Sequence, residues 1–127
     1  MNPRAAKPNK LYKTGTPISM GNRAIFQAAS LVQPIGEYYF HPFRKFRFDY
    51  AWPDLYFGSG EQFRIALEVQ GGIWTGGKHG RGSGIEKDYE KMNEAILTGW
   101  KVFQATPTQF KNLSFAKYLL PYLRERF

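Results

Sequence analysis

The sequence predicts one α/β domain with a central mixed sheet flanked by helices, and three observations support this prediction. Two neighbouring segments alternate apolar and polar residues with the period of two that is typical of strands. An amphipathic helix and a short apolar strand follow them, and a strand, a helix and a strand in this order favour a parallel pair joined by a crossover. The length of 127 residues leaves room for one domain.

The composition excludes several classes of protein. Hydrophobic residues make up 43% of the chain and aromatic residues 17%, so a core can form and a wholly disordered or collagen-like chain is excluded. There is no cysteine, which excludes disulfides, thiolate zinc sites and cysteine nucleophiles. The formal net charge of +8 indicates a polyanionic partner.

The charge is concentrated near the beginning of the chain. Residues 1–36 contain five basic residues and no acidic residue, so we expect residues 1–20 to form a flexible basic arm and 21–127 to form the domain. The start lacks the apolar stretch of a signal peptide, and no run of 18 apolar residues occurs. These features predict a soluble, cytoplasmic protein with no membrane contact.

The first predicted helix covers residues 22–32. Asn22 is a suitable N-cap, and the apolar residues that would face the core are Ile25, Ala28, Ala29 and Val32.

The alternating pattern covers residues 37–70. Four aromatic residues are predicted to share one face of the first clear strand: Phe46, Phe48, Tyr50 and Trp52. Four apolar residues are predicted to share one face of the next: Phe63, Ile65, Leu67 and Val69. Between them Pro53 and Asp54 are predicted to break the strand, and residues 58–60 to form a turn.

A glycine-rich loop over residues 71–84 leads into the second helix. Ser83 and Glu86 have the spacing of a capping box, and Gly99 fits the position after the helix end. The apolar stripe predicted to face the core is Ile85, Tyr89, Met92 and Ile96.

The chain is predicted to end with a strand and a helix. Residues 100–105 form a short apolar strand, and Thr106, Pro107 and Gln109 provide the cap, N1 proline and capping glutamine of the helix. Its predicted apolar face is Leu113, Ala116, Leu120 and Leu123, and Pro121 would bend or shorten the helix.

Asp49 and Glu68 both fall on the polar faces of the two alternating strands. Two neighbouring carboxylates repel each other unless a hard cation lies between them, and Mg²⁺ prefers carboxylate and water oxygens. Such a pair within a basic protein suggests metal-dependent attack on a phosphodiester. A solvated polar strand face remains the alternative interpretation of the same residues.

Three segments together resemble the PD-(D/E)xK nuclease superfamily: Phe-Arg-Phe-Asp49-Tyr-Ala-Trp-Pro, Ile-Ala-Leu-Glu68-Val-Gln70-Gly-Gly, and an amphipathic helix followed by Gly99-Trp100-Lys101-Val102. The resemblance covers residues 37–106 and is greatest to small phage and bacterial members allied to Holliday-junction resolvases and very-short-patch repair endonucleases. It implies a restriction-endonuclease-like αβββαβ core.

The resemblance also implies DNA cleavage that depends on Mg²⁺, with Mn²⁺ able to substitute. Asp49 and Glu68 would be catalytic metal ligands, the Val69 carbonyl would be a third ligand, and Gln70 would help to place the attacking water. Asp54 follows a proline, as in the family's Pro-Asp, and is the alternative to Asp49.

Besides this choice between two aspartates, the sequence departs from the family pattern in two further places. Gln70 stands where the family usually has lysine, so Lys87 or Lys91 on the next helix would supply the missing cation. Many members carry an acid in the first helix, whereas residues 22–32 contain none and Glu37 is the nearest candidate.

The predicted partner is DNA, most simply a branched duplex cleaved by a homodimer, as in resolvases. The residues expected to contact its backbone lie in the glycine-rich loop and before the first clear strand: Lys78, His79, Arg81, Arg44, Lys45 and Arg47. The alternatives are a mismatch or single-site nicking enzyme and a DNA-binding module without catalysis.

Overall fold

The structure, a computed structural model, describes residues 15–56, 59–60, 62–70 and 82–125. Eight elements follow one another along the chain: α1 Met20–Ala28, β1 Ile35–Tyr39, β2 Arg47–Tyr56, β3 Gln62–Val69, α2 Gly82–Leu97, β4 Trp100–Ala105, α3 Pro107–Lys111 and α4 Ala116–Leu123. They form the predicted α/β architecture with one mixed sheet flanked by helices. No helix in these ranges is both long and apolar enough to cross a membrane.

The four strands lie in chain order in the sheet, β1-β2-β3-β4. β1 pairs with β2 and β2 with β3 in antiparallel orientation, whereas β3 and β4 are parallel and joined through α2. The predicted parallel pair with a helical crossover is therefore confirmed, and β4 has the predicted bounds.

The larger core lies on the face of the sheet covered by α1, α3 and α4. Phe26 of α1 is fully buried there, and its ring packs edge-on against Trp52 at 5.8 Å and Phe110 at 5.4 Å. Ile65 and Leu67 of β3 point into the same core, as predicted.

The helix ends differ in part from the predictions. Ser19 rather than Asn22 is the N-cap of α1, because the Asn22 N–H donates to the Ser19 side chain. α1 also ends earlier, which leaves Ala28 and Val32 exposed. The predicted capping box at Thr106 and Gln109 is confirmed, but the last helix is interrupted, since Leu113 has a φ of +70° between α3 and α4.

Pro53 and Asp54 do not end the second strand. β2 continues to Tyr56 with a register shift against β3 between Trp52 and Leu55. A bulge accommodates a proline because an extra residue there need not donate to the ladder. Asp54 is exposed on this irregular segment.

The basic arm predicted over residues 1–20 falls partly outside the described ranges. Residues 1–14 are not described, whereas Thr16 exchanges backbone hydrogen bonds of 2.7 and 3.2 Å with Gly36 of β1. The last part of the predicted arm is therefore attached to the sheet.

Candidate active site

β2 and β3 separate at the position of Asp49. Their pairing begins at Tyr50 opposite Leu67, while β3 continues beside β4 as far as Val69. The Val69 N–H donates to Asp49 Oδ2 at 2.8 Å. The carboxylate of β2 thus takes the place of a ladder hydrogen bond and is held at the end of β3.

The predicted alternation of aromatic side chains fails at the same position. Tyr50 packs on the α1 side of the sheet, whereas Phe48 is buried on the α2 side with Trp100, their ring centroids 5.0 Å apart. Glu37 lies opposite Asp49 and has a φ of +46°, which is rare for a residue with a side chain. The sheet is therefore irregular where the two predicted acids lie.

Glu68 is buried on the α2 side of the sheet, with 5% of its surface exposed, and Lys91 of α2 donates to its Oε1. Burial raises the pKa of Glu68 to about 7; the Lys91 ammonium opposes this rise, and the adjacent Asp49 carboxylate adds to it. The structure thus brings together the two acids that the sequence singled out, and near neutral pH the surroundings of Glu68 favour a bound proton or a cation.

The two lysines proposed from the sequence have different positions. The Lys91 ammonium binds Glu68 and lies 5.4 Å from the centre of the Phe48 ring. Lys87 is exposed one helical turn earlier. Of the two, Lys91 is the residue that brings positive charge to the carboxylates.

Gln70 immediately follows β3, and its backbone N–H donates to the Ala105 carbonyl at 2.8 Å. This bond continues the parallel pairing by one residue beyond Val69. Gln70 is half-buried, and it directly follows Glu68 and Val69, the two residues next to Asp49. Its location agrees with a site residue, while a role for its amide stays a prediction.

A polar cavity of about 380 Å³ opens beside Asp49, between the sheet and the beginning of α1. Val69 and Glu37 also line it, so it collects three of the residues named from the sequence. On the wall of this cavity, the Asn22 side chain donates a hydrogen bond to the Tyr50 hydroxyl at 2.8 Å. Burial raises the pKa of that phenol, and Asp49 adds to the rise, so Tyr50 remains protonated.

The basic residues before β2 make contacts within the domain. Arg47 donates to Glu37 Oε1 at 3.0 Å, and both side chains are about half exposed. Arg44 donates to Glu90 Oε2 of α2 at 2.5 Å, with its guanidinium 4.4 Å from the centre of the Phe46 ring. Lys78, His79 and Arg81 belong to residues 71–81, which lie outside the described ranges.

His41 joins the turn before β2 to α2. Its Nδ1 accepts from the Phe43 and Arg44 backbone N–H groups at 3.2 and 3.0 Å, so Nε2 carries the proton and donates to Glu94 Oε1 at 2.9 Å. The partner is 53 residues away, and no local signal could have shown it.

The donor atoms of the pair suit a hard divalent cation, because both acids offer carboxylate oxygens and one of them is buried beside the other. Within the described ranges there is no group of three or more histidine, cysteine or acidic side chains that could hold a metal. Further ligands would therefore have to be a backbone carbonyl such as that of Val69, water or substrate oxygens.

Comparisons of the chain with protein families, with curated proteins and with solved structures found no match.

Proposed function

We propose that the chain is a metal-dependent DNA endonuclease of the PD-(D/E)xK type, which hydrolyses phosphodiester bonds. The observation that carries this proposal is the meeting of Asp49 and Glu68 where β2 and β3 separate, with the Lys91 ammonium on Glu68. The two carboxylates can bind a cation, and the neighbouring lysine supplies positive charge. Hydrolysis of a phosphodiester uses both.

The topology supports the same proposal. The chain has a helix, three antiparallel strands, a crossover helix and a parallel fourth strand in this order. This is the order that the resemblance implies for a restriction-endonuclease-like core, and the two acids lie on its second and third strands.

Each site residue has a distinct part in the proposed reaction. A bound Mg²⁺ or Mn²⁺ would acidify a water molecule and stabilise the charge that develops on the phosphate. Asp49 and Glu68 would hold that cation, and Gln70 would orient the water. Lys91 would place its ammonium beside the reacting phosphate, where the family's usual lysine is replaced by Gln70.

The proposed substrate is branched DNA cut by a homodimer, which follows from the resemblance to resolvases. Cleavage of a four-way junction, a flap and a linear duplex in Mg²⁺ separates this from the alternative of a mismatch or single-site nicking enzyme. Paired nicks confined to the junction would support the resolvase, and equal nicking of all three substrates would exclude it.

Two pairs of variants test the site itself. Asp49→Asn and Glu68→Gln should each lower cleavage by at least about 100-fold, because each removes a charged oxygen ligand. Asp54→Asn and Glu86→Gln change the same residue types at exposed positions and should cleave within about twofold of wild type. Loss of activity in Asp54→Asn but not in Asp49→Asn would mean that Asp54, and not Asp49, is the catalytic aspartate.

A second measurement does not depend on turnover. Excess Mg²⁺ should raise the thermal unfolding midpoint of the wild type, since a ligand that binds the folded state at 100 times its Kd adds about 2.7 kcal/mol. Glu68→Gln should lose that increase and Glu86→Gln should keep it. A wild type that neither cleaves DNA nor responds to Mg²⁺ or Mn²⁺ would favour a DNA-binding module without catalysis.

A further inference from the structure

A second cavity, here called the basic groove, lies between the turn before β2 and the first half of α2. Its volume is about 400 Å³, and it is lined by Arg44, Lys45, Phe46, Lys87, Asp88 and Lys91. Four of these six residues carry a positive charge and one carries a negative charge. Such a concentration attracts a polyanion.

Two contacts join the turn before β2 to α2 beside the groove. The turn is attached to α2 by His41, whose Nε2 bonds Glu94, and by Arg44, which donates to Glu90. The Arg44 guanidinium also lies over the Phe46 ring. These contacts fix the wall of the groove before any ligand binds, so little ordering of this wall is required on binding.

The groove adjoins the carboxylate pair through one shared side chain. Lys91 lines the groove and also binds Glu68. Lys87 lies one helical turn before Lys91, about 6 Å along the helix axis. The groove therefore presents several separated cations, one of which contacts the buried carboxylate.

We propose that the basic groove binds the sugar-phosphate backbone of a DNA strand, holding the phosphates next to the one that is hydrolysed. The identification of DNA rests on the proposed function, whereas the groove's affinity for a phosphodiester chain rests on its own charge and shape. A row of separated cations suits a chain of phosphates better than a single small anion, because each phosphate can bind a different side chain.

Lys45 and Lys87 are the residues to substitute, since both are exposed. Lys91 is left unchanged because it binds Glu68. The test variant is the double substitution Lys45→Gln with Lys87→Gln. The control is Lys101→Gln with Lys117→Gln, which removes two exposed lysines from β4 and α4. Far-UV circular dichroism and urea unfolding should show that both variants fold like the wild type.

The measurement is the affinity for a fluorescently labelled DNA duplex as a function of salt, in EDTA so that cleavage cannot occur. Each phosphate contact contributes about 0.9 to the slope of log K against log salt for a duplex. The groove variant should lose up to about 1.8 from the slope and bind at least about fivefold more weakly at 100 mM salt. The control should keep the wild-type slope.

The outcomes separate this inference from the proposed function. Equal slopes for the groove variant and the control would overturn the inference even if the wild type cleaves DNA. A reduced slope in a protein that cleaves nothing would support the groove and reject the endonuclease. A slope change confined to an RNA duplex of the same sequence would overturn the assignment to DNA.

Discussion

The two faces of the sheet differ in the kinds of residue that they bury. The face under α1, α3 and α4 holds a core of twelve buried residues, all of them hydrophobic. The face under α2 holds five, and beside them lie the two buried polar residues of the described ranges, His41 and Glu68. Both of these bond to side chains of α2, Glu94 and Lys91.

This difference indicates that the two faces contribute differently to the stability of the protein. Burying a carboxyl group costs free energy unless its charge is paired or neutralised. The α2 face contains the buried carboxyl group, whereas the opposite face, packed with Phe26, Leu119 and Leu123, supplies hydrophobic stabilisation without a buried charged side chain. If so, the protein should be more stable, and less active, when the α2 face is made less charged.

The largest expected effect is the response of stability to pH through Glu68. Its pKa rises from 4.5 to about 7 on folding, so the folded state binds the proton more tightly. The resulting stability is present below about pH 4.5 and is lost as the pH rises to about 7. Between pH 5 and pH 8, Glu68 should therefore lower the free energy of unfolding by about 2 to 3 kcal/mol in the absence of metal.

Glu68→Gln isolates this contribution. Urea unfolding at pH 5 and pH 8 should show that the stability of the variant, measured against wild type, improves by that amount at the higher pH. Glu86→Gln, an exposed carboxylate on α2, should show no such change. If the difference in stability between Glu68→Gln and wild type is the same at both pH values, folding does not raise the pKa of Glu68.

His41 should have the next largest effect. His41→Ala removes the acceptor of two backbone N–H groups and the bond to Glu94, so we expect a loss of about 2 kcal/mol in the free energy of unfolding. His41→Asn can still accept from the backbone as an Asx-turn and should lose about 1 kcal/mol. Equal losses in the two variants would show that only the contact with Glu94 matters.

Most of the fold could be predicted because its signals are local. The capping box at Thr106, the C-terminal position of Gly99, where φ is +85°, and the alternation through β3 each depend on neighbours within a few residues. The sequence predicts a strand end at Pro53, whereas the structure has a bulge after Trp52. A proline shows that a ladder bond is missing, but whether the strand stops or bulges depends on its partner strand.

The site could be predicted only in part. Asp49 and Glu68 were identifiable because each lies one step out of phase with an apolar pattern. The face of β3 on which Glu68 lies is not solvated, since Glu68 and Ala66 are both buried there under α2. That burial, the choice of Lys91 over Lys87 and the His41 bond arise from the packing of α2, which depends on residues far apart in the chain.

The smallest expected effect concerns the face of α2 that the sequence assigned to the core. Tyr89 and Ile96 are 66% and 65% exposed, while Ala95 is completely buried against the sheet. The aromatic rings of Phe48 and Trp100 already fill the space on that side, so α2 presents a small residue to them.

Tyr89→Gln combined with Ile96→Gln should therefore change the free energy of unfolding by less than about 0.5 kcal/mol, because exposed substitutions cost little and glutamine is the better helix former. Ala95→Leu, on the buried side of the same helix, should lose about 1 to 3 kcal/mol through overpacking. Urea unfolding of both variants measures the difference. If the glutamine variant loses more than Ala95→Leu, the apolar stripe is covered in solution and the core of this face extends beyond the residues that now define it.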